Sequence, residues 1–162
     1  MGLDFTFKEL LPLADCVKDG ARNIGRSTGV PKELLIRHPF PGPGLIIRIE
    51  GEITAEKLSA VRQADGIFIE ELRNFDYYET VWQAGVVLTA SEITCTKGDD
   101  AFMGSVVALW AVASINGFTA DRSRLSDEFW DKVDQRICNE IHSVGAVVVR
   151  LTGKPPATIE WG

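Results

Sequence analysis

Apolar and polar positions alternate from Leu45 to Glu50. Leu45, Ile47 and Ile49 fall on one side and Ile46, Arg48 and Glu50 on the other, the pattern of a strand with one wet face. The period then lengthens. Thr54 is placed to cap a helix over about 55–74, with Glu56 in its first turn and Leu58, Val61, Phe68 and Leu72 as an apolar stripe that Asp65 interrupts. Two runs rich in Val, Ala, Thr and Trp follow, at 81–96 and 102–115, with polar Lys97, Gly98, Asp99 and Asp100 between them. They predict two long antiparallel strands joined by a tight turn. Ser126 opens a second helix, with Asp127 and Glu128 in its first turn and Trp130, Val133, Ile137 and Ile141 as its stripe. A last strand is expected at 146–151. The order strand, helix, strand, strand, helix, strand (β-α-β-β-α-β) implies an α+β fold of two layers, a mainly antiparallel sheet with helices on one face.

Ahead of this block, residues 5–37 read as short helices broken by Pro12, Gly25, Gly29 and Pro31. Leu13, Val17, Ala21 and Ile24 fall at helical spacing, but large apolar residues are few, so the segment reads as an appendage. Proline then occupies every other position from Pro39 to Pro43, which fixes φ and keeps the preceding residues extended: a stiff loop. The organisation expected is therefore 1–36 as an N-terminal remnant and 37–162 as the domain.

With 45% hydrophobic and 25% charged residues, a chain of 162 residues is neither disordered nor collagen-like, and it can bury a real core. A net charge of −6 argues against a nucleic-acid partner held by phosphate neutralisation. Cys16, Cys95 and Cys138 lie far apart with no CxxC pair, so neither a disulfide framework nor a zinc site is indicated, which fits a reducing cytoplasm. The segment at the start lacks a basic region followed by an apolar run, and the longest apolar run, 103–115, is too short to span a bilayer. No signal peptide and no membrane are expected.

Candidate chemistry is sparse. The histidines are His38 and His142, and neither has a nucleophile or carboxylate at a telling spacing. A catalytic triad therefore cannot be assembled, and no catalytic or metal-ligating residue is assigned. His142, at a helix end, is most simply a dipole partner. The stiff loop is either a connector or a place where Gly42 and Gly44 let a ligand approach the backbone, with Arg37, His38 and Arg48 as loop or anion contacts. The C-terminal stretch Gly153-Lys154-Pro155-Pro156-Ala157-Thr158-Ile159-Glu160-Trp161 also has two readings. In one, the tail is latched to the sheet through Ile159 and Trp161. In the other, Lys154 meets a phosphate as a compact charge and Glu160 accepts from a base N–H or a ribose hydroxyl.

The string from Arg37 to Gly44 (RHPFPGPG), Gly51-Glu52-Ile53, the stretch from Ala64 to Arg73 (ADGIFIEELR) and the string from Gly153 to Trp161 (GKPPATIEW) resemble the C-terminal dimerisation domain of glutamine-hydrolysing GMP synthase. The segment at 12–22 more loosely resembles the last helices of that family's ATP-pyrophosphatase domain. The resemblance implies a homodimerising module that completes a site for xanthosine monophosphate (XMP), with Gln83, Lys154 and Glu160 as substrate contacts. It also implies that ATP and magnesium belong to a module of the full enzyme that is missing here, the chain being either an excised fragment or a separately encoded copy that works with a separate ATP-pyrophosphatase or glutaminase chain. This chain alone is then not expected to make GMP. It departs from the family at Ala101, in a stretch that usually carries an arginine and a tyrosine, at Trp110, usually an arginine, and at Gly162, usually a glutamate. Those departures define the alternative, a stand-alone, non-catalytic dimer module that has lost nucleotide binding.

Overall fold

The computed structural model describes residues 10–115 and 117–161, which fall into two compact units divided between Arg37 and His38. In the first, α1 (Lys18–Ser27) ends at Thr28, and α2 (Lys32–Leu35) follows Pro31. Leu13 and Val17 precede α1 and are exposed, so the apolar spacing noted over 13–24 does not mark one continuous helix. Residues 5–9 and Gly162 lie outside the described residues.

The second unit opens with a departure from the sequence expectation. Residues Gly44–Arg48 form a 3₁₀ helix, here α3, instead of a strand. Gly44 N–H closes a turn on Pro41 O at 3.0 Å, Gly44 takes φ +75, and Pro43 sits at φ −66, ψ −14. The chain therefore enters the segment already turning, and six alternating residues are too few to overrule that. At three residues per turn, Leu45 and Arg48 share a side. Leu45 packs on the main core, Arg48 is buried, and Ile46 is left in solvent. Only Ile49 makes a strand-like bridge, to Leu88.

The long helix α4 (Ala55–Asn74) and α5 (Asp127–Glu140) lie where the capping signals put them. Thr54 Oγ1 accepts from Lys57 N–H, and Ser126 Oγ from Phe129 N–H, each at 3.2 Å. Strands β1 (Gln83–Lys97) and β2 (Asp100–Ala113) form the expected hairpin, with a bulge between Leu88 and Glu92. Against the other edge of β2 lie β4 (Val144–Val149), parallel at Ser105–Leu109, and the two-residue β3 (Asp121–Arg122), antiparallel at Val112 and Ala113. The fold is α+β, and the sheet is mixed because the α5 crossover returns the chain beside β2 in the same direction.

Alternation along β2 divides the interior. Val107, Leu109 and Ala111 join Val86 and Leu88 beneath α4 and α5, with Phe68, Phe129 and Val133. Phe129, one residue before the expected Trp130, is the fully buried aromatic of α5. Ala108, Trp110 and Val112 point to the opposite face, where Ile159 and Trp161 from the C-terminal tail pack on them. The helices therefore cover one face of the sheet, and the tail covers part of the other. Among the described residues, no helix is long and apolar enough to cross a membrane.

Candidate functional site

Two motifs from opposite ends of the second unit meet on the tail-covered face. Arg48, 1% exposed, turns inward from α3 and donates through Nη2 to Glu160 Oε1 at 2.6 Å and through Nε to Oε2 at 3.2 Å. Its Nη1 reaches Asp65 Oδ1 at 3.2 Å. The guanidinium carbon lies 4.8 Å from the ring centroid of Phe40 and 4.8 Å from that of Trp110. Gln83, buried at the start of β1, adds an Nε2–H bond to Glu160 Oε1 at 2.7 Å. Two residues later, Glu50 accepts from Ala90 N–H at 2.9 Å and from Trp161 Nε1–H at 2.7 Å. Residues 48 and 50 thus grip residues 160 and 161, and the tail latch through Ile159 and Trp161 is what the fold uses.

Burial raises the Asp65 pKa above its ordinary value. The Arg48 charge pulls it back down, and Glu160 adds to the rise. Glu50 moves the other way, its pKa lowered first by the Ala90 N–H and then by the Trp161 indole N–H. Because its folded pKa is depressed, the stability Glu50 lends the tail is complete above its ordinary value of 4.5 and is lost as the pH falls through the lowered one. Acid titration of Trp161 emission, taken as the difference between wild type and Trp161→Phe, should show a transition below that value. In Glu50→Gln the transition should vanish, and an unchanged transition would contradict the assignment.

Trp110 is fully buried, and Gly85 lies directly opposite it on β1. A Cβ at position 85 would stand 2.5 Å from the Trp110 ring edge and 2.8 Å from Arg48 Cζ, so the indole occupies space that only glycine leaves open. The place of Trp110 is explained by this opposition. Gly85→Ala should lower the unfolding free energy by about 1–3 kcal/mol through overpacking, read by denaturant titration, with a changed near-ultraviolet signal from Trp110. Arg150, at the end of β4, lies 5.4 Å from the Trp110 ring centroid and donates Nη2–H to Ile159 O at 2.8 Å. Burial lowers its pKa, opposed by Glu160.

The structure brings Gln83, Glu160 and Arg48 into one network. Lys154 is held at the other end of the tail, where it exchanges backbone hydrogen bonds with Ala120 at 2.7 and 3.0 Å and donates Nζ–H to Gly117 O at 2.9 Å. Among the described residues no carboxylate pairs with it. His38 stacks on Tyr78, with ring centroids 4.1 Å apart, and its Nε2 lies 2.8 Å from Tyr78 O, so it anchors the Pro-rich loop. Gly42 faces open space, and Gly44 closes the turn into α3. Arg37 belongs to the first unit and is exposed, its carbonyl accepting from Arg22 Nη2 at 3.5 Å. No group of three or more His, Cys, Asp or Glu among the described residues is arranged to hold a metal.

Sequence reasoning missed Asp65, Glu50 and Arg150. For Asp65 a signal existed: an acid inside the stripe of a buried helix needs a cation, and Arg48 is the cation in the next segment back.

Residues 70–161, from the second half of α4 to the end of the tail, match the family profile described as GMP synthase C terminal domain. The chain belongs to that family. Glutamine-hydrolyzing GMP synthases of Thermotoga maritima, Coxiella burnetii and Prochlorococcus marinus are 51%, 47% and 47% identical to it over 93%, 98% and 98% of its length. The chain spans 30% of the length of these relatives. The GMP synthase C-terminal match takes in Gln83, Trp110, Lys154 and Glu160, whereas Arg48, Glu50 and Asp65 precede it.

Proposed function

We propose that this chain is the part of a GMP synthase that binds XMP along its C-terminal tail and pairs with a second copy of itself. Lys154 would meet the phosphate, and Gln83 with Glu160 the base. The observation that carries this reading is the folded tail. It holds a lysine with no carboxylate partner among the described residues at one end and a carboxylate with an amide at the other, on one face of the sheet. A compact cation suits a phosphate, and an ionised carboxylate suits purine N–H donors. Pairing is supported by sheet edges left open: beyond Leu88, no strand among the described residues lies on the outer side of β1, and Met103 near the hairpin tip is exposed. The chemistry that uses ATP, magnesium and glutamine would reside outside these 162 residues, in an ATP-pyrophosphatase and a glutaminase module, joined to them or on a separate chain. This chain itself then carries no cofactor.

The second reading, a dimer module without nucleotide binding, is favoured by Trp110. An indole fills the place of an arginine, and Glu160 is already engaged by Arg48 and Gln83. Calorimetric titration with XMP, with sedimentation to read the oligomeric state, separates the two. A dimer that binds XMP, and loses that binding in Lys154→Ala, supports the first, and a dimer indifferent to XMP supports the second. A monomer indifferent to XMP would remove both. Mixing the chain with a GMP synthase truncated before its own equivalent of the Pro-rich loop should restore GMP formation from XMP, ATP and ammonia.

A further inference from the structure

The carboxylate of Glu160 is not positioned by the tail that carries it. Its Oε1 takes two donors, Arg48 Nη2 at 2.6 Å and Gln83 Nε2 at 2.7 Å. Its Oε2 takes one, Arg48 Nε at 3.2 Å. Oε2 is therefore the oxygen with acceptor capacity to spare, and the Glu160 side chain, 20% exposed, is accessible from solvent. Arg48 has no such freedom. Asp65 holds its Nη1, and the rings of Phe40 and Trp110 lie against the guanidinium carbon at 4.8 Å each.

We propose that Arg48 is the positioning residue of the nucleotide site: it touches no ligand and fixes the Glu160 carboxylate so that Oε2 faces a purine N–H. The proposal rests on the reading of the tail as the XMP site and adds a residue that the reading does not include. Its chemistry is preorganisation. A glutamate on an irregular tail has three rotatable bonds to order on binding, and a bidentate partner that is itself immobile orders them beforehand. Lysine cannot substitute fully, because one ammonium does not span both carboxylate oxygens in a plane. The phosphate end is fastened independently, through the Lys154 bonds to Ala120 and Gly117, so the effect of Arg48 should be confined to the base.

The test is calorimetric titration of the full chain with XMP and, separately, with ribose 5-phosphate, which keeps the phosphate and lacks the base. The proteins are wild type, Arg48→Lys, Arg48→Met, Glu160→Gln and the double variant Arg48→Met/Glu160→Gln. Outer partners that orient a binding group are worth about 10–100-fold. Arg48→Met should weaken XMP by that factor and leave ribose 5-phosphate within about twofold, and Arg48→Lys should fall between. The double variant should bind XMP no more weakly than Glu160→Gln alone, since the two residues act as one unit. Equal loss for both ligands, losses that add in the double variant, or XMP affinity unchanged in a folded Arg48 variant would overturn the proposal while leaving the site reading intact. If Arg48→Met does not fold, Arg48→Lys decides by the same comparison. Wild type that binds no XMP removes the site reading itself, and the proposal with it.

Discussion

Arg48→Ala is expected to cost the second unit about 3–5 kcal/mol of unfolding free energy, the range for deleting one partner of a buried ion pair. The alanine leaves Asp65 and Glu160, whose side chains are only 18% and 20% exposed, with no cation between them. Asp65 responds first. Its pKa is already raised by burial and by Glu160, and the Arg48 charge is what opposes that rise. Without Arg48 the aspartate should take up a proton at higher pH. The variant should therefore be least stable at neutral and alkaline pH and recover part of its loss on mild acidification. The sign follows from linkage: a carboxylate with a raised folded pKa loses stability as pH rises through that value. Denaturant titrations at several pH values check it, and a loss independent of pH would show that Asp65 does not respond.

Arg136→Ala should be comparably destabilising for the same physical reason, on the opposite side of the sheet. Arg136 on α5 donates to Glu71 on α4 at 2.6 Å, to Glu70 at 2.9 Å and to Glu140 at 2.6 Å. Glu71 is only 4% exposed, so removing the arginine strands a buried carboxylate, at about 3 kcal/mol or more. Glu70 and Glu140 are far more exposed and add little. The three carboxylates hold the guanidinium pKa well above its usual range, so Arg136 stays charged throughout. The two variants make a controlled pair. Both should lower stability, but only Arg48→Ala should loosen the tail, seen as faster amide exchange at 158–161 at matched fractions of folded protein. Equal loosening in Arg136→Ala would mean that the tail simply follows global stability.

The helices of the second unit were legible because their signals are local. Thr54 and Ser126 cap within three residues, and the apolar stripes of α4 and α5 repeat often enough to fix the period. The hairpin was legible from the polar turn at Lys97–Asp100 between two β-branched runs. At Leu45–Glu50 the same kind of reasoning failed. The alternation there covers only a few residues, and Pro41, Pro43 and Gly44 impose a turn on the chain before it can extend. That failure hid the centre of the site. In a strand Arg48 would have faced water, whereas in a 3₁₀ helix it lies on the side of Leu45 and enters the interior. The parallel placement of β4 was hidden for another reason: strand direction is set by the α5 crossover, and nothing in the sequence of β4 encodes it. Gln83, Lys154 and Glu160 stood out through their motifs, but the pairing of Glu160 with Arg48 is a tertiary fact, and a motif does not reveal what its residues touch.

The contact between Arg48 and Glu160 joins positions 112 residues apart. Closing so long a loop is slow and depends on the intervening sheet already being in place to hold the ends near each other. During synthesis Arg48 leaves the ribosome well before its carboxylate partner, which emerges only after β4 and the proline pair. Until then the arginine must remain hydrated or lean on Asp65, and the face of the sheet around Trp110 lacks the cover of Ile159 and Trp161. A second unit without Glu160 would keep its helices packed on the sheet and leave Arg48 with Asp65 as its one carboxylate partner among the described residues, so this single pairing reports on whether the tail has docked.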